Sequence, residues 1–181
     1  LSLTAREVLP GRSLLGARLG KRFKLSKDAI QVNVKPVPEN FPGDVWLPAV
    51  SLELRQSWSK APDSMEVGDS TTRTLTLAAE GLLSSQLPSM TSMSDNSQSA
   101  GIRVYPDQES SDQIERTDGF LGQRTHSEAL VATGGGSWTL PEVSVPWWNT
   151  ETDTLQVATL PSTTISVRAP VIETPGTLDV T

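Results

Sequence analysis

Apolar and polar residues alternate with period 2 along most of the chain, the pattern of strands with one face in a core and one in solvent. Leu1 to Val8 alternate, and in Ala29 to Lys35 the residues Ile30, Val32 and Val34 point one way while Gln31, Asn33 and Lys35 point the other. Arg22 to Leu25 is a weaker strand candidate. Further on, Leu52 and Leu54 share a face within Ser51 to Trp58, and Thr72, Thr74 and Thr76 oppose Arg73, Leu75, Leu77 and Ala79. Ile102 and Val104 mark a strand that Pro106 is expected to stop. Gln113 to Arg116, a turn at Asp118-Gly119 and Arg124 to Thr133 read as a hairpin. Gly134 to Gly136 supplies another turn. Thr139 to Trp147 reads as one strand interrupted by Pro141 and Pro146, and Leu155 to Ala158 and Thr163 to Val167 follow. Gly81 to Leu87 suits a short helical turn, and Pro88 to Gly101 a loop.

Turn signals about every ten residues predict an all-β fold, an immunoglobulin-like antiparallel β-sandwich. Its expected span is residues 46–168. Residues 36–43 hold three prolines, which fix φ and remove backbone donors, so a proline-rich linker is placed at residues 39–45. Residues 1–38 then read as the C-terminal strands of a preceding β domain, since so few strands cannot bury an apolar face alone. Residues 169–181 read as a flexible tail.

Charge sharpens this division. Residues 1–40 carry 8 Lys and Arg against 3 Asp and Glu, whereas the remainder carries 7 against 18, for a net charge of -6 over 181 residues. At 36% hydrophobic and 20% charged residues, the composition is that of a folding chain rather than a disordered one. The chain begins at Leu1 and reads as a segment of a longer protein.

Cysteine is absent and His126 is the sole histidine. Thiolate metal sites, cysteine nucleophiles and imidazole-based zinc centres therefore lack their ligands. His126 and Glu128, two residues apart on one strand face, have the makings of a proton shuttle. No G-x-S-x-G nucleophile elbow accompanies them, so the reading adopted is an ordinary strand histidine facing solvent. Asp107, Glu109, Asp112, Glu115 and Asp118 concentrate carboxylates, but without the D-x-[DN]-x-[DN]-G calcium loop they read as a solvated acidic hairpin. Arg18, Lys21, Arg22, Lys24 and Lys27 have only Phe23 as a stacking ring, and protection of a strand edge accounts for them better than nucleic acid does. No cofactor, metal or catalytic residue is assigned.

Five tryptophans, Trp46, Trp58, Trp138, Trp147 and Trp148, are the richest chemistry left. Neighbours on a strand point to opposite faces, so one of Trp147 and Trp148 is expected in the core and the other at the surface. Both are kept as candidate interface residues, for a partner protein or, alternatively, for a glycan stacked on the ring.

Several segments in this order resemble the BatD family of bacterial oxygen-tolerance (aerotolerance) proteins. They are Phe41-Pro42-Gly43-Asp44-Val45-Trp46-Leu47-Pro48-Ala49, Gly68-Asp69 with Thr72 to Leu77, Ala79-Glu80-Gly81-Leu82, Gln86-Leu87-Pro88, Ile102 to Asp107, Leu140-Pro141 and Pro146-Trp147-Trp148. The likeness runs from residue 30 to about 168. It implies immunoglobulin-like domains in the periplasm, anchored to the inner membrane by a helix outside this segment. It also implies a non-enzymatic scaffold or adaptor role in oxygen and stress tolerance, with von Willebrand factor A-domain membrane proteins and a MoxR-type ATPase as partners and no nucleic acid. The family supplies no catalytic residues.

Overall fold

A computed structural model of the chain describes residues 2–9, 18–91, 101–117 and 119–169. They are almost entirely β, with a 3-10 turn at Ser84–Gln86. The chain divides between Val37 and Pro38 into two compact units.

In the first unit, β1 (Ser2–Leu9) and β2 (Arg18–Ser26) pair antiparallel, with Leu3 opposite Leu25 and Ala5 opposite Phe23. The basic side chains Lys21, Arg22 and Lys24 of β2 are exposed. Ala29 to Lys35, expected as a strand, carries no regular structure, and Ile30, Val32 and Val34 are 78%, 74% and 87% exposed. Alternation makes a strand only where a neighbour takes its backbone groups. No described strand pairs with this segment.

The second unit is a β-sandwich. Its front layer is a four-stranded antiparallel sheet in the order β4 (Ser51–Trp58), β6 (Ser70–Glu80), β8 (Gly119–Ala132), β7 (Ile102–Arg116). The back layer is split into two three-stranded sheets. One runs β11 (Thr154–Leu160), β10 (Val143–Asn149), β3 (Pro48–Ala49); the other runs β5 (Met65–Glu66), β12 (Thr163–Arg168), β9 (Gly136–Leu140). The stretch expected as one strand from Thr139 to Trp147 is therefore two strands. Pro141 and Glu142 lie where the chain leaves one back sheet for the other.

Each back sheet closes its own half of the core. Leu52, Leu54, Leu75, Leu77 and Ala79 pack with Val143, Val145, Trp147 and Leu160 in one cluster. Ile102, Leu130 and Ala132 pack with Met65, Ile165 and Val167 in the other. Leu87 and Met90, just beyond the 3-10 turn, drop into the first cluster and are buried. Gly122 permits that approach: a Cβ there would stand 2.6 Å from the carbonyl oxygen of Leu82 and the amide nitrogen of Ser84. Gly68, with φ of 97°, makes the turn into β6, in a region that side chains disfavour.

Two prolines inside strands have specific places. Pro106 does not stop β7 as expected. It lies on an edge strand, where a missing donor is tolerated, and beside a bulge that brings Glu109 opposite His126 after Pro106 opposite Glu128. Pro146 lies in the central strand β10. Trp148 and Thr150 donate their N–H groups to Leu47 and Ala49 on the β3 side, and Pro146, two residues earlier, has none to give there. The short parallel pairing with β3 begins only at Trp148.

Candidate functional site

The two adjacent tryptophans separate as β-geometry requires. Trp147 is 5% exposed and belongs to the first core cluster, so it is no interface residue. Trp148 faces outward and is half-buried. Its ring lies 5.9 Å from that of Trp46, which in turn meets Phe41 edge-on at 4.8 Å. Its indole N–H donates to Asp153 Oδ1 at 3.0 Å. The segment before β3 thus folds over the outer side of β10 and holds Trp148 in place.

The outer face continues onto β11. Pro146 stands opposite Val157 and Trp148 opposite Leu155. Residues directly opposite share a face. This gives an apolar surface on which Leu155 and Val157 are exposed, at 37% and 54%. A cleft of about 190 Å³ bounded by Pro146 is lined also by Val45, Pro88 and the core residues Leu47 and Val145. That is small beside the roughly 300–1,000 Å³ of pockets that enclose a small molecule.

His126 does not face solvent as expected. It is fully buried, and neither ring nitrogen meets a hydrogen-bonding partner. Its place was readable by extending the alternation of β8 back from Leu130 and Ala132, which puts Glu128 and His126 on the core face. Glu128, also buried, stands opposite Arg73 in the ladder and accepts from its Nη1 at 3.3 Å. Arg73 Nε donates to Gln56 Oε1 at 3.1 Å, and Gln56 Nε2 donates to Thr163 Oγ1 at 3.1 Å. The Arg73 guanidinium also lies 5.7 Å from the centre of the Trp58 ring. This polar chain links the front sheet to β12 and lies in the strands between the two apolar clusters.

The expected acidic hairpin resolves into individual roles. Glu109 accepts from Arg124 Nη1 at 2.7 Å, Ser89 Oγ at 2.7 Å and Thr91 Oγ1 at 3.0 Å, while Arg124 Nε donates to the carbonyl of Ser84 at 3.1 Å. Burial works to raise the Glu109 pKa, but the hydrogen bonds from Ser89, Arg124 and Thr91 outweigh it and hold the carboxyl at about 2. Glu109 is thus a clasp for residues 84–91. Asp118 lies outside the described residues. Among the described residues no group of three or more His, Asp or Glu side chains is placed to hold a metal ion. No helix among them is long and apolar enough to cross a membrane.

The chain matches no family model, no curated protein and no solved structure in comparisons with each.

Proposed function

We propose that the chain is a non-enzymatic scaffold or adaptor of the bacterial envelope, whose sandwich binds partner proteins through the outer face of β10 and β11. One observation carries this reading. The solvent side of an antiparallel sandwich is ordinarily polar, yet here Pro146, Trp148, Leu155 and Val157 form an apolar face across β10 and β11. Trp148 is fixed by Trp46 and Asp153, so little side-chain freedom is lost when a partner covers it. Tryptophan is also enriched among the residues that dominate interface energetics.

The resemblance to the BatD family supports the setting: a periplasmic domain anchored in the inner membrane by a helix outside these residues, acting in oxygen or stress tolerance. It names membrane proteins with von Willebrand factor A domains, together with a MoxR-type ATPase, as the partners. The carbohydrate-binding alternative has less support. Trp147 is in the core, and the indole N–H of Trp148 is already given to Asp153.

The test is co-purification of the full-length protein from membranes with mass identification of what accompanies it. The von Willebrand factor A-domain proteins are expected with the wild type. Val157→Lys places a charge on the face at a position that is 54% exposed, and should reduce capture at least tenfold at unchanged melting temperature. Undiminished capture by this variant, or binding of envelope glycans instead of proteins, refutes the reading.

A further inference from the structure

We infer that the partner seated on the outer face presents an apolar patch ringed by lysine and arginine side chains; the inference rests on the reading of β10 and β11 as the binding face and adds the chemistry of what binds there. The apolar part of the face is short. Two cross-strand rows make it, Pro146 with Val157 and Trp148 with Leu155, and the next row on that face, Ser144 with Thr159, is polar. An interface of ordinary size covers about 800 Å² on each partner, with an apolar centre and a polar rim. A partner that covers the two rows therefore also meets what surrounds them.

Those surroundings are acidic. Ser144, on the same face as Pro146 and Trp148, donates its hydroxyl to Glu142 Oε1 at 3.0 Å, which sets the exposed Glu142 carboxylate at the outer surface. At the other end of the hairpin, Asn149 Oδ1 accepts the N–H groups of Glu151 and Thr152, both at 2.9 Å. These bonds fix the turn into β11 and carry the exposed Glu151 just past the row of Trp148 and Leu155. Asp153, in the same turn, accepts from the Trp148 indole. Asp44, also exposed, lines the cleft that Pro146 bounds.

No cation belongs to these segments. Lys and Arg are absent between Lys35 and Arg55 and between Arg124 and Arg168, the two stretches that supply the face, its aromatic support and its acids. Elsewhere the sandwich sets acids beside cations: Glu53 with Arg55, Asp69 with Lys60, Glu80 with Arg116 and Glu109 with Arg124. Charges across an interface are arranged to complement one another, and like charges brought together are costly. An apolar patch with an acidic rim thus selects a protein surface with an apolar centre and a basic rim. It turns away nucleic acid and anionic lipid headgroups, which carry the wrong sign. Rim charges act chiefly on the rate of encounter and are screened by salt, whereas the apolar rows set how long the complex lasts.

The test uses the full-length protein and the rate at which it captures the von Willebrand factor A-domain proteins from membranes. Asp44→Asn, Glu142→Gln and Glu151→Gln together remove three rim charges from exposed positions and should slow capture about tenfold with the melting temperature kept. Asp107→Asn, Asp112→Asn and Glu115→Gln on β7, in the other layer of the sandwich, change the net charge equally and should leave capture as in the wild type. Raising salt from about 50 to about 500 mM should slow wild-type capture by a similar factor, and capture by the rim variant far less. If the rim variant fails to fold, Glu151→Gln alone decides the same question, because the turn there is held through the backbone N–H of Glu151. Capture by the rim variant at the wild-type rate, an equal loss in the β7 variant, a wild type indifferent to salt, or binding of anionic phospholipid vesicles in place of protein overturns the inference. Val157→Lys separates the two readings. Capture that it abolishes and the rim variant keeps retains the binding face and refutes the basic partner, whereas capture that it leaves intact refutes the face itself.

Discussion

Arg73 on β6 and Glu128 on β8 face each other directly across the antiparallel ladder, and their side chains form an ion pair of 3.3 Å with only 3% and 2% of each exposed. Two charges so deeply buried give up most of their hydration, and their attraction roughly offsets that cost when further hydrogen bonds complete the set. Here Gln56 accepts one from Arg73 Nε and Trp58 adds its ring face, while Arg73 Nη2 is buried without a hydrogen-bond partner. The pair therefore matters less as net stability than as a constraint: a strand slip by one residue would break it.

Removing one partner leaves the other buried and uncompensated. Glu128→Leu should cost about 3–5 kcal/mol, whereas the double variant Arg73→Met with Glu128→Leu should recover most of that loss. Urea denaturation of the two single variants and the double variant gives the coupling. A double variant as unstable as the sum of the singles would show that the ion pair is not what the sandwich depends on.

His126 should tolerate an apolar replacement. Its ring nitrogens are buried without a partner, and an unsatisfied buried polar group costs about 1–3 kcal/mol. His126→Leu is therefore expected to keep or raise the melting temperature. A fall of several degrees would instead mean that an ordered water serves the imidazole in solution.

Glu109 makes the clasp over residues 84–91 sensitive to acid. Its pKa is depressed, from 4.5 to about 2, so the stability it contributes is complete above the unfolded value and is lost as pH falls through the folded one. The melting temperatures of wild type and Glu109→Gln should therefore differ most near neutrality and converge between about pH 4.5 and 2. A gap that is constant with pH would show that the carboxylate charge plays no part in the clasp.

The adjacent tryptophans should behave as opposites in mutagenesis. Trp147→Ala opens a cavity in the first core cluster and is expected to cost about 3–5 kcal/mol. Trp148→Ala removes a half-buried ring and one hydrogen bond to Asp153, and should cost about 1–2 kcal/mol. Chemical denaturation of the two variants measures the contrast, and equal losses would show that the aromatic group of Phe41, Trp46 and Trp148 is as structural as the core itself.

The sequence by itself determined the all-β character of this protein and the faces of its clearest strands. Leu52 and Leu54, or Leu75, Leu77 and Ala79, can be buried together only on one side of a pleated strand. The same geometry required Trp147 and Trp148 to part. Tertiary structure decided everything that depends on which strands meet. Ala29 to Lys35 alternates as well as any segment, yet no described strand pairs with it. Thr139 to Trp147 divides at Pro141 because its halves complete different back sheets, a matter of sheet membership that local periodicity does not encode. Arg73, His126 and Glu128 all sit on the inward face; alternation groups Arg73 with Leu75, Leu77 and Ala79, whereas His126 reads from the sequence as facing solvent. The opposing strands, with Gln56 and Trp58, offset that burial for Arg73 and its partner Glu128, while His126 is buried without a hydrogen-bond partner. The apolar outer face likewise exists only in three dimensions, because pairing sets Pro146 opposite Val157 and Trp148 opposite Leu155, and Trp46, from about a hundred residues earlier, packs on Trp148.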